Sequence, residues 1–378
     1  MRHFFRWAPV FALGGLLWAL PGAAQDRPSL TAIDLDTPVT TDRLIPLLAN
    51  KRVVFVGETH DRYDHHLNQL EIIRRLHELN PRLAIGVEYF EQRFQPKVDD
   101  YIDGRITETE FLRATDYFQE WGYDYRLYEP IFRYAREQHI PVRALNIPTS
   151  VASAVAKVGL AGLTREQRAF LPPDIEPADA AYKARLRPAF EAHGAKPGDF
   201  DHFVEAQLAW DESMAASAAA YLNTNPDRRM VILAGAGHVV FGAGIPKRLE
   251  RRTHATYAIV LNSGEEMEPQ IADYILLSER KDLPPAGALG VRLKEEDGEC
   301  RIGAVIPGGA AEKAGIKRGD ALIQIDGQPV KTPGDARLLL WDKKPGDRVK
   351  VVARRNHRLG GASEHEFEVE LASSPGRG

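Results

Sequence analysis

The region from residue 51 to 278 alternates short, almost continuously apolar runs with longer amphipathic stretches. The runs are rich in Val, Ile, Leu and Ala, which is typical of strands buried on both faces of a mainly parallel sheet. They read RVVFVG, RLAIGVEYF, PVRALNIP, MVILAGAGH, TYAIVLN and ADYILLS. The pattern therefore predicts an α/β fold, in which a mainly parallel sheet is flanked by helices.

The stretches between the runs carry helix signals. Thr107 and Glu110 have the spacing of a capping box at the start of a helix. Residues 149–226 are rich in alanine and show no strand pattern. They predict a helical insertion, or subdomain, packed on the strand ends of a domain that spans residues 40–278.

The pattern changes after residue 278. The stretch SERKDLPPAG combines charge, two prolines and a glycine, which predicts a linker over residues 279–286. Beyond the linker, short alternating runs predict a small β-rich domain over residues 287–373. Two short helices are expected in it, at GAAEKAGI and PGDARLLLWDK.

The first 24 residues have a different composition. Arg2 and Arg6 precede an apolar stretch that ends in the small residues Gly22, Ala23 and Ala24, which is the layout of a secretory signal peptide. We therefore expect cleavage after Ala24 and a periplasmic or secreted protein. A retained membrane anchor is the alternative, and no cysteine lies near the signal to accept a lipid.

Charge and cysteine content narrow the classes of partner. A net charge of −4 over 378 residues, without a basic run interleaved with aromatics, predicts no nucleic-acid partner. Cys300 is the only cysteine, so the chain forms no intramolecular disulfide. The composition leaves homo-oligomerisation open.

Ionisable side chains stand where the predicted parallel strands end. Glu58 and His60 follow the first run, Glu88 ends the second, and His238 follows the fourth. Because ligands bind beyond the carboxyl ends of parallel strands, we expect these four residues to form one site, which is catalytic if the protein is an enzyme. In one interpretation, His60, Glu88 and His238 hold a divalent transition metal that activates water. In another they act as general acid and base without metal, and in a third each residue only caps a turn.

Several segments resemble one known family. VVFVGETHDRYDHH, GVEYF, YDYRLYEPIFRYAREQHIPVRALNIP and ILAGAGHVVFGAGIPKRL occur in the order found in the ChaN-like haem-binding family. That family belongs to the wider Tiki, TraB and erythromycin-esterase-like superfamily. The resemblance covers residues 40–278. It implies two Gly-x-x-His motifs with an acidic residue between them, here at residues 57–60, Glu88 and residues 235–238.

The resemblance implies two functions. ChaN-like members are associated with haem binding and iron uptake, so the chain is expected to be an exported haem- or iron-binding protein. Tiki-like members are associated with metal-dependent peptide cleavage, which makes a metal-dependent hydrolase the alternative. An adaptor that has lost its chemistry is a third interpretation. A haem site needs an apolar slot, an axial ligand and cations for the propionates, and His65, His66 and Tyr89 are the ligand candidates.

Residues 285–373 resemble a PDZ domain of the kind attached to bacterial periplasmic proteases. Ala288, Leu289, Gly290 and Val291 look like its carboxylate-binding loop. The resemblance implies that the amides of Leu289, Gly290 and Val291 hold a peptide C-terminal carboxylate, and that the peptide adds to the sheet as a strand. A helix carrying residues 338–340 is expected to wall the apolar pocket. Alternatively, the module packs on the first domain and binds nothing.

Overall fold

A computed structural model describes residues 40–192, 200–262, 268–357 and 361–374. The predicted signal peptide, residues 1–24, lies outside the described residues. Among the helices that are described, none combines the length and the apolar character needed to cross a bilayer.

The first domain is built on a sheet of six strands, and all six predicted strands are confirmed. They are β1 (Val53–Glu58), β2 (Leu83–Glu91), β3 (Val142–Asn146), β4 (Arg229–Gly235), β5 (Tyr257–Asn262) and β6 (Tyr274–Leu276). Their order is β3-β2-β4-β1-β5-β6, and all neighbours are parallel. β1 lies between β4 and β5, so the direction of strand addition reverses next to it, where a ligand site is expected.

Helices cover both faces of this sheet. Successive residues of β1 alternate between the faces, with Val54 and Val56 in the core on one side and Val53 and Phe55 in the core on the other. The helices are α1 (Thr41–Ala49), α2 (Tyr63–Leu79), α3 (Gln95–Ile102), α4 (Glu108–Ala114), α5 (Tyr117–Glu120), α6 (Glu129–Glu137), α7 (Thr149–Val158), α8 (Arg165–Arg168), α9 (Ala180–Ala192), α10 (Phe200–Thr224) and α11 (Ile245–Thr253).

The described part of the predicted insertion contains the helices α7 to α10, joined by turns and loops, and no strand. The capping box of Thr107 and Glu110 is also confirmed, at the start of α4. The 25-residue α10 packs against α7, α11 and β3. It thereby carries side chains of the insertion to the carboxyl ends of the strands.

The second domain is an antiparallel β-rich module, as predicted. Its larger sheet has the order β13-β12-β10-β9-β8, with β11 beside β10, and its smaller sheet pairs β14 with β7. The core surrounds the buried Cys300 and Ile302. The elements are β7 (Ala286–Ala288), β8 (Val291–Glu296), β9 (Glu299–Val305), α12 (Ala310–Ala314), β10 (Ala321–Ile325), β11 (Gln328–Pro329), α13 (Pro333–Leu340), β12 (Arg348–Asn356), β13 (Ala362–Glu370) and β14 (Ala372–Ser374).

Helix α13 joins the two domains, which belong to one compact unit. Leu338 and the adjoining Trp341 are buried in the core of the first domain. The Trp341 ring stands edge-on to Tyr125, with ring centroids 5.4 Å apart. The expectation that residues 338–340 all wall the peptide pocket was therefore wrong for Leu338. Of these three residues, only Leu340 lines the cavity beside residues 289–291.

Candidate functional site

The structure brings Glu58, His60, Glu88 and His238 together at the carboxyl ends of β1, β2 and β4. Three of them, Glu58, His60 and His238, line a cavity of about 640 Å³. Glu88 lies beneath it, where its Oε2 accepts a hydrogen bond of 2.8 Å from the amide of Gly235. The four side chains therefore belong to one site.

The first half of the site is a carboxylate–histidine pair. Glu58 is buried, and its Oε1 lies 2.6 Å from His60 Nδ1, while the His60 side chain keeps 26% of its exposure. Although burial opposes it, the Glu58 hydrogen bond raises the pKa of His60 above its ordinary value. The pair fixes the orientation of the ring and leaves Nε2 on the side that faces Gly235, where a Cβ added to that glycine would lie 3.2 Å from it.

The second half is a buried chain of three ionisable groups. Asp211 Oδ1 lies 2.6 Å from His238 Nδ1, and Glu88 Oε1 lies 3.4 Å from His238 Nε2. Burial opposes charge here, but the two carboxylates raise the pKa of His238 to about 10. Burial likewise opposes ionisation of Glu88, yet His238 lowers its pKa to about 2. An imidazolium thus sits between two carboxylates at neutral pH.

The helical insertion supplies the walls of the cavity. Leu186 comes from α9, Phe203 and Trp210 come from α10, and Tyr123 closes the site from the turn after α5. These side chains are mainly apolar and aromatic. The site therefore combines a charged floor with an apolar slot above it.

One positively charged side chain that lines the cavity, Arg185, can donate more hydrogen bonds than the described residues accept from it. Arg185 lines the cavity, and its Nη1 donates to the carbonyl of Gly237 at 2.8 Å. Its Nε and Nη2 are buried and have no hydrogen-bond partner within the described ranges. Because buried guanidinium groups are normally paired, this side chain favours an anionic group in the cavity.

The three residues predicted as haem ligands lie behind the site and do not line it. His65, His66 and Tyr89 are only 1%, 1% and 3% exposed. His65 Nδ1 accepts from the amide of Thr59 at 3.1 Å, and His66 Nε2 lies 3.1 Å from the carbonyl oxygen of His60. His65 and His66 thus hold the backbone around His60 from the buried side of the segment.

The predicted metal triad does not have the geometry of a metal site. In the part of the chain that the structure describes, no group of three or more His, Cys, Asp or Glu side chains is arranged to hold a metal ion. Both ring nitrogens of His238 already face carboxylates. The arrangement fits proton transfer and ion pairing better than metal coordination.

Three site residues were not predicted from the sequence. Asp211 and Arg185 lie in the insertion, and Tyr123 lies in an aromatic cluster that is mostly core. Asp211 had one available signal, because it stands next to Glu212 inside an otherwise apolar, alanine-rich stretch. Buried carboxylates in such a helix require a partner, and here the partner is His238.

A second cavity, of about 700 Å³, lies along the β-rich module. Leu289, Gly290 and Val291 line it, as the predicted loop requires, and Leu340 of α13 stands among its other walls. Gly290 has a φ of 72°, a conformation that glycine adopts without steric cost.

The fold is an α/β domain with a parallel sheet, followed by a small antiparallel β-rich module. The family model described as "Haem-binding uptake, Tiki superfamily, ChaN" matches residues 44–249, and that of the PDZ domain matches residues 287–371. The chain therefore belongs to the ChaN family and carries a C-terminal PDZ domain. Both resemblances inferred from the sequence are confirmed.

Known proteins resemble parts of this chain. The structure of Campylobacter jejuni ChaN with cofacially bound haem aligns with a TM-score of 0.52 and 18% identity, over 63% of this chain and 91% of that one. Protein RETICULATA-RELATED 5, chloroplastic, of Arabidopsis thaliana is 24% identical over 61% of this chain and 34% of its own length. The periplasmic pH-dependent serine endoprotease DegQ of Escherichia coli (strain K12) is 27% identical over 42% of this chain and 32% of its own length. The chain thus spans about a third of the length of these two curated relatives.

Proposed function

We propose that this protein binds haem, as an iron source, in the cavity beside His60. The observation that carries the proposal is a cavity lined by aromatic side chains, by the oriented imidazole of His60 and by Arg185, two of whose nitrogens have no hydrogen-bond partner among the described residues. Haem requires an apolar slot, an axial ligand and cations for its propionates, and the cavity offers all three. Membership of the ChaN family supports the same function.

His60 is the axial-ligand candidate that best matches the cavity. Glu58 holds its Nδ1, as carboxylates commonly do for metal-binding histidines, and so leaves Nε2 for the iron. Tyr123 is a weaker candidate, because burial and the nearby carboxylates raise the pKa of its phenol. Arg185 is placed to pair with a propionate.

Titration of the purified protein with haem should give a saturable Soret band. His60→Ala should abolish the ligand-dependent shift of this band. Glu58→Gln should weaken haem affinity about 10–100-fold, because the imidazole loses its orienting carboxylate. His357→Ala, on an exposed residue of the PDZ domain, is the matched control and should bind as the wild type does. A wild-type titration without a saturable change would refute the proposal.

A metal-free hydrolase is the second candidate, favoured by the chain of Asp211, His238 and Glu88. A charged group buried in this way is not needed to hold a porphyrin. In the hydrolase, His60 would take a proton from the attacking water and pass it to the leaving group. The His238 imidazolium, held at both ring nitrogens by carboxylates, and Arg185 would supply positive charge near the developing oxyanion. The substrate class is a peptide or ester that carries an anionic group.

A panel of peptides and esters tests this candidate. His60→Ala should lower kcat about 10²–10⁴-fold, the usual contribution of a general base. Glu58→Gln should change the pH profile of kcat, because Glu58 holds the His60 ring and raises its pKa. The activity should survive a strong chelator. Loss of activity on chelation would point back to the metal-dependent alternative, and inactivity on the whole panel would discard the candidate.

We also propose that Leu289, Gly290 and Val291 bind peptide C-termini, and that the domain boundaries are residues 40–278 and 287–373.

Residues 1–24 would direct export, so the protein would act in the periplasm or outside the cell. Fractionation of cells that express a C-terminally tagged chain tests the localisation. Recovery of the tagged chain in the cytoplasm, with residues 1–24 retained, would contradict it.

A further inference from the structure

The second cavity, beside residues 289–291, is the proposed peptide groove of the PDZ domain. Residues of both domains line this groove. On the PDZ side lie Val291 of β8 and Leu340 of α13, and on the other side lie Phe118 and Tyr123 of the first domain. An isolated PDZ domain would lack this second wall. A peptide that fills the groove therefore contacts the first domain as well.

The position of the groove is fixed by direct contacts between the domains. Arg337 of α13 donates through Nη1 to the carbonyl of Phe118 at 3.4 Å, and Trp341 packs edge-on against Tyr125. Arg126 of the first domain donates through Nη1 to the carbonyl of Pro284 at 2.7 Å. The helix that forms one side of the groove is thus anchored to the segment that carries Tyr123.

Tyr123 lines both cavities, the peptide groove and the His60 site. Its ring centroid lies 5.1 Å from that of His60 and 5.6 Å from that of Trp121, and Trp121 in turn lies 4.9 Å from His60. Tyr123 nevertheless keeps 36% of its exposure. One side chain is therefore available to a ligand in either cavity.

We propose that a peptide C-terminus in the groove and the ligand of the His60 cavity bind with linked affinities through their shared contact with Tyr123. The inference rests on the proposed haem and peptide binding and adds their regulation. A peptide strand packed against the ring restricts its motion and so fixes one wall of the His60 cavity. The expected linkage is therefore positive.

The groove also indicates which peptides fit. Arg292 and Arg337 line it, and the described residues provide no carboxylate partner for Arg292. The carboxylate-binding loop requires a free C-terminus, and the apolar walls suit an apolar last residue. The favoured ligand is an extended peptide with a free, apolar C-terminal residue and acidic residues upstream.

The test uses fluorescein-labelled decapeptides that end in Val, Leu, Phe or Ala behind two glutamates, each also prepared as the C-terminal amide. The tightest binder is titrated into the full chain with and without saturating haem, and haem is titrated with and without that peptide. The dissociation constant of the peptide without haem should be about fivefold or more larger than that with haem. The dissociation constant of haem should change by the same factor on peptide addition, because linkage is reciprocal. Tyr123→Ala should bring the ratio close to one, even if it changes each affinity.

Ile306→Ala is the matched control, because Ile306 is exposed and lines only the groove. Ile306→Ala should weaken peptide binding and leave the ratio of the dissociation constants with and without haem unchanged. Peptide and haem binding with a ratio of one in the wild type would overturn the inference and leave the proposed function intact. If haem does not bind, the proposed function fails, and linkage is then read from the NMR resonance of the His60 imidazole on peptide addition. An unmoved resonance, or no binding by any free-carboxylate peptide, would also overturn the inference.

Discussion

Replacing Glu88 by alanine is expected to lower the free energy of unfolding by about 3–5 kcal/mol, the loss typical when one partner of a buried ion pair is removed. Glu88 is 6% exposed and lies in β2, which is paired on both sides. Its two oxygens face the amide of Gly235 and the ring of His238. The alanine variant would leave a buried N–H without its acceptor and an imidazolium with one carboxylate instead of two.

Two further variants separate these contributions. Glu88→Gln keeps one acceptor oxygen for the Gly235 amide, although its NH2 group would face the His238 ring as a second donor, so it should cost less than alanine because one of the two contacts survives. In the double variant Glu88→Ala/His238→Ala, the buried Asp211 loses its imidazolium partner and keeps only the hydrogen bond from the Tyr182 hydroxyl, so this variant should be less stable than Glu88→Ala. Denaturant unfolding followed by tryptophan fluorescence measures all four proteins. Equal and small losses for alanine and glutamine would show that Glu88 forms no buried ion pair.

The contribution of the Glu88 carboxylate to the free energy of unfolding depends on pH. His238 lowers the pKa of Glu88 in the folded state to about 2, whereas the pKa of a glutamate in the unfolded chain is about 4.3. A lowered folded-state pKa stabilises the fold at pH values above the unfolded pKa, and this stabilisation is lost as the pH falls towards the folded value. The stability difference between wild type and Glu88→Gln should therefore be constant near neutral pH and shrink from about pH 4.3 to about pH 2.

The sheet could be predicted because its information is local. A strand that is buried on both faces, such as β1, must be apolar along its whole length, so the run itself indicates a parallel neighbour on each side. The same logic located Glu58, His60, Glu88 and His238, because the carboxyl ends of parallel strands meet at one edge. Their gathering in the structure follows from strand order and needs no further contact information.

The rest of the site depends on tertiary packing that local patterns do not encode. Asp211 lies in α10, and its distance from His238 is set by how the insertion docks on the strand ends. The aromatic cluster posed a different problem, because Tyr125 and Tyr128 are fully buried while Tyr123 is not. Nothing in their spacing distinguishes them. The face that Leu338 presents was likewise set by the domain contact, which neither domain's own pattern reveals.

Gly244→Ala is expected to destabilise the protein by about 3 kcal/mol or more, at or beyond the upper end of the usual cost of overpacking. A Cβ at this position would overlap the carbonyl oxygen of His238 and lie 2.8 Å from its carbonyl carbon. It would also lie 3.0 Å from Asp211 Oδ2. Because the main obstacle is backbone, no rotamer change relieves it, and the segment that carries His238 must move.

The chain offers a matched control in the same segment. A Cβ at Gly237 meets nothing within 4 Å, so Gly237→Ala should keep wild-type stability. Thermal unfolding compares the two variants, and the His238 imidazole resonance reports whether its 2.6 Å contact with Asp211 survives. We expect Gly244→Ala to lose this contact even at temperatures where the sheet stays folded, because the clash acts on His238 directly. Equal stability of the two alanine variants, with an unchanged resonance, would mean that the backbone at His238 moves without cost, which would contradict the predicted clash at residue 244.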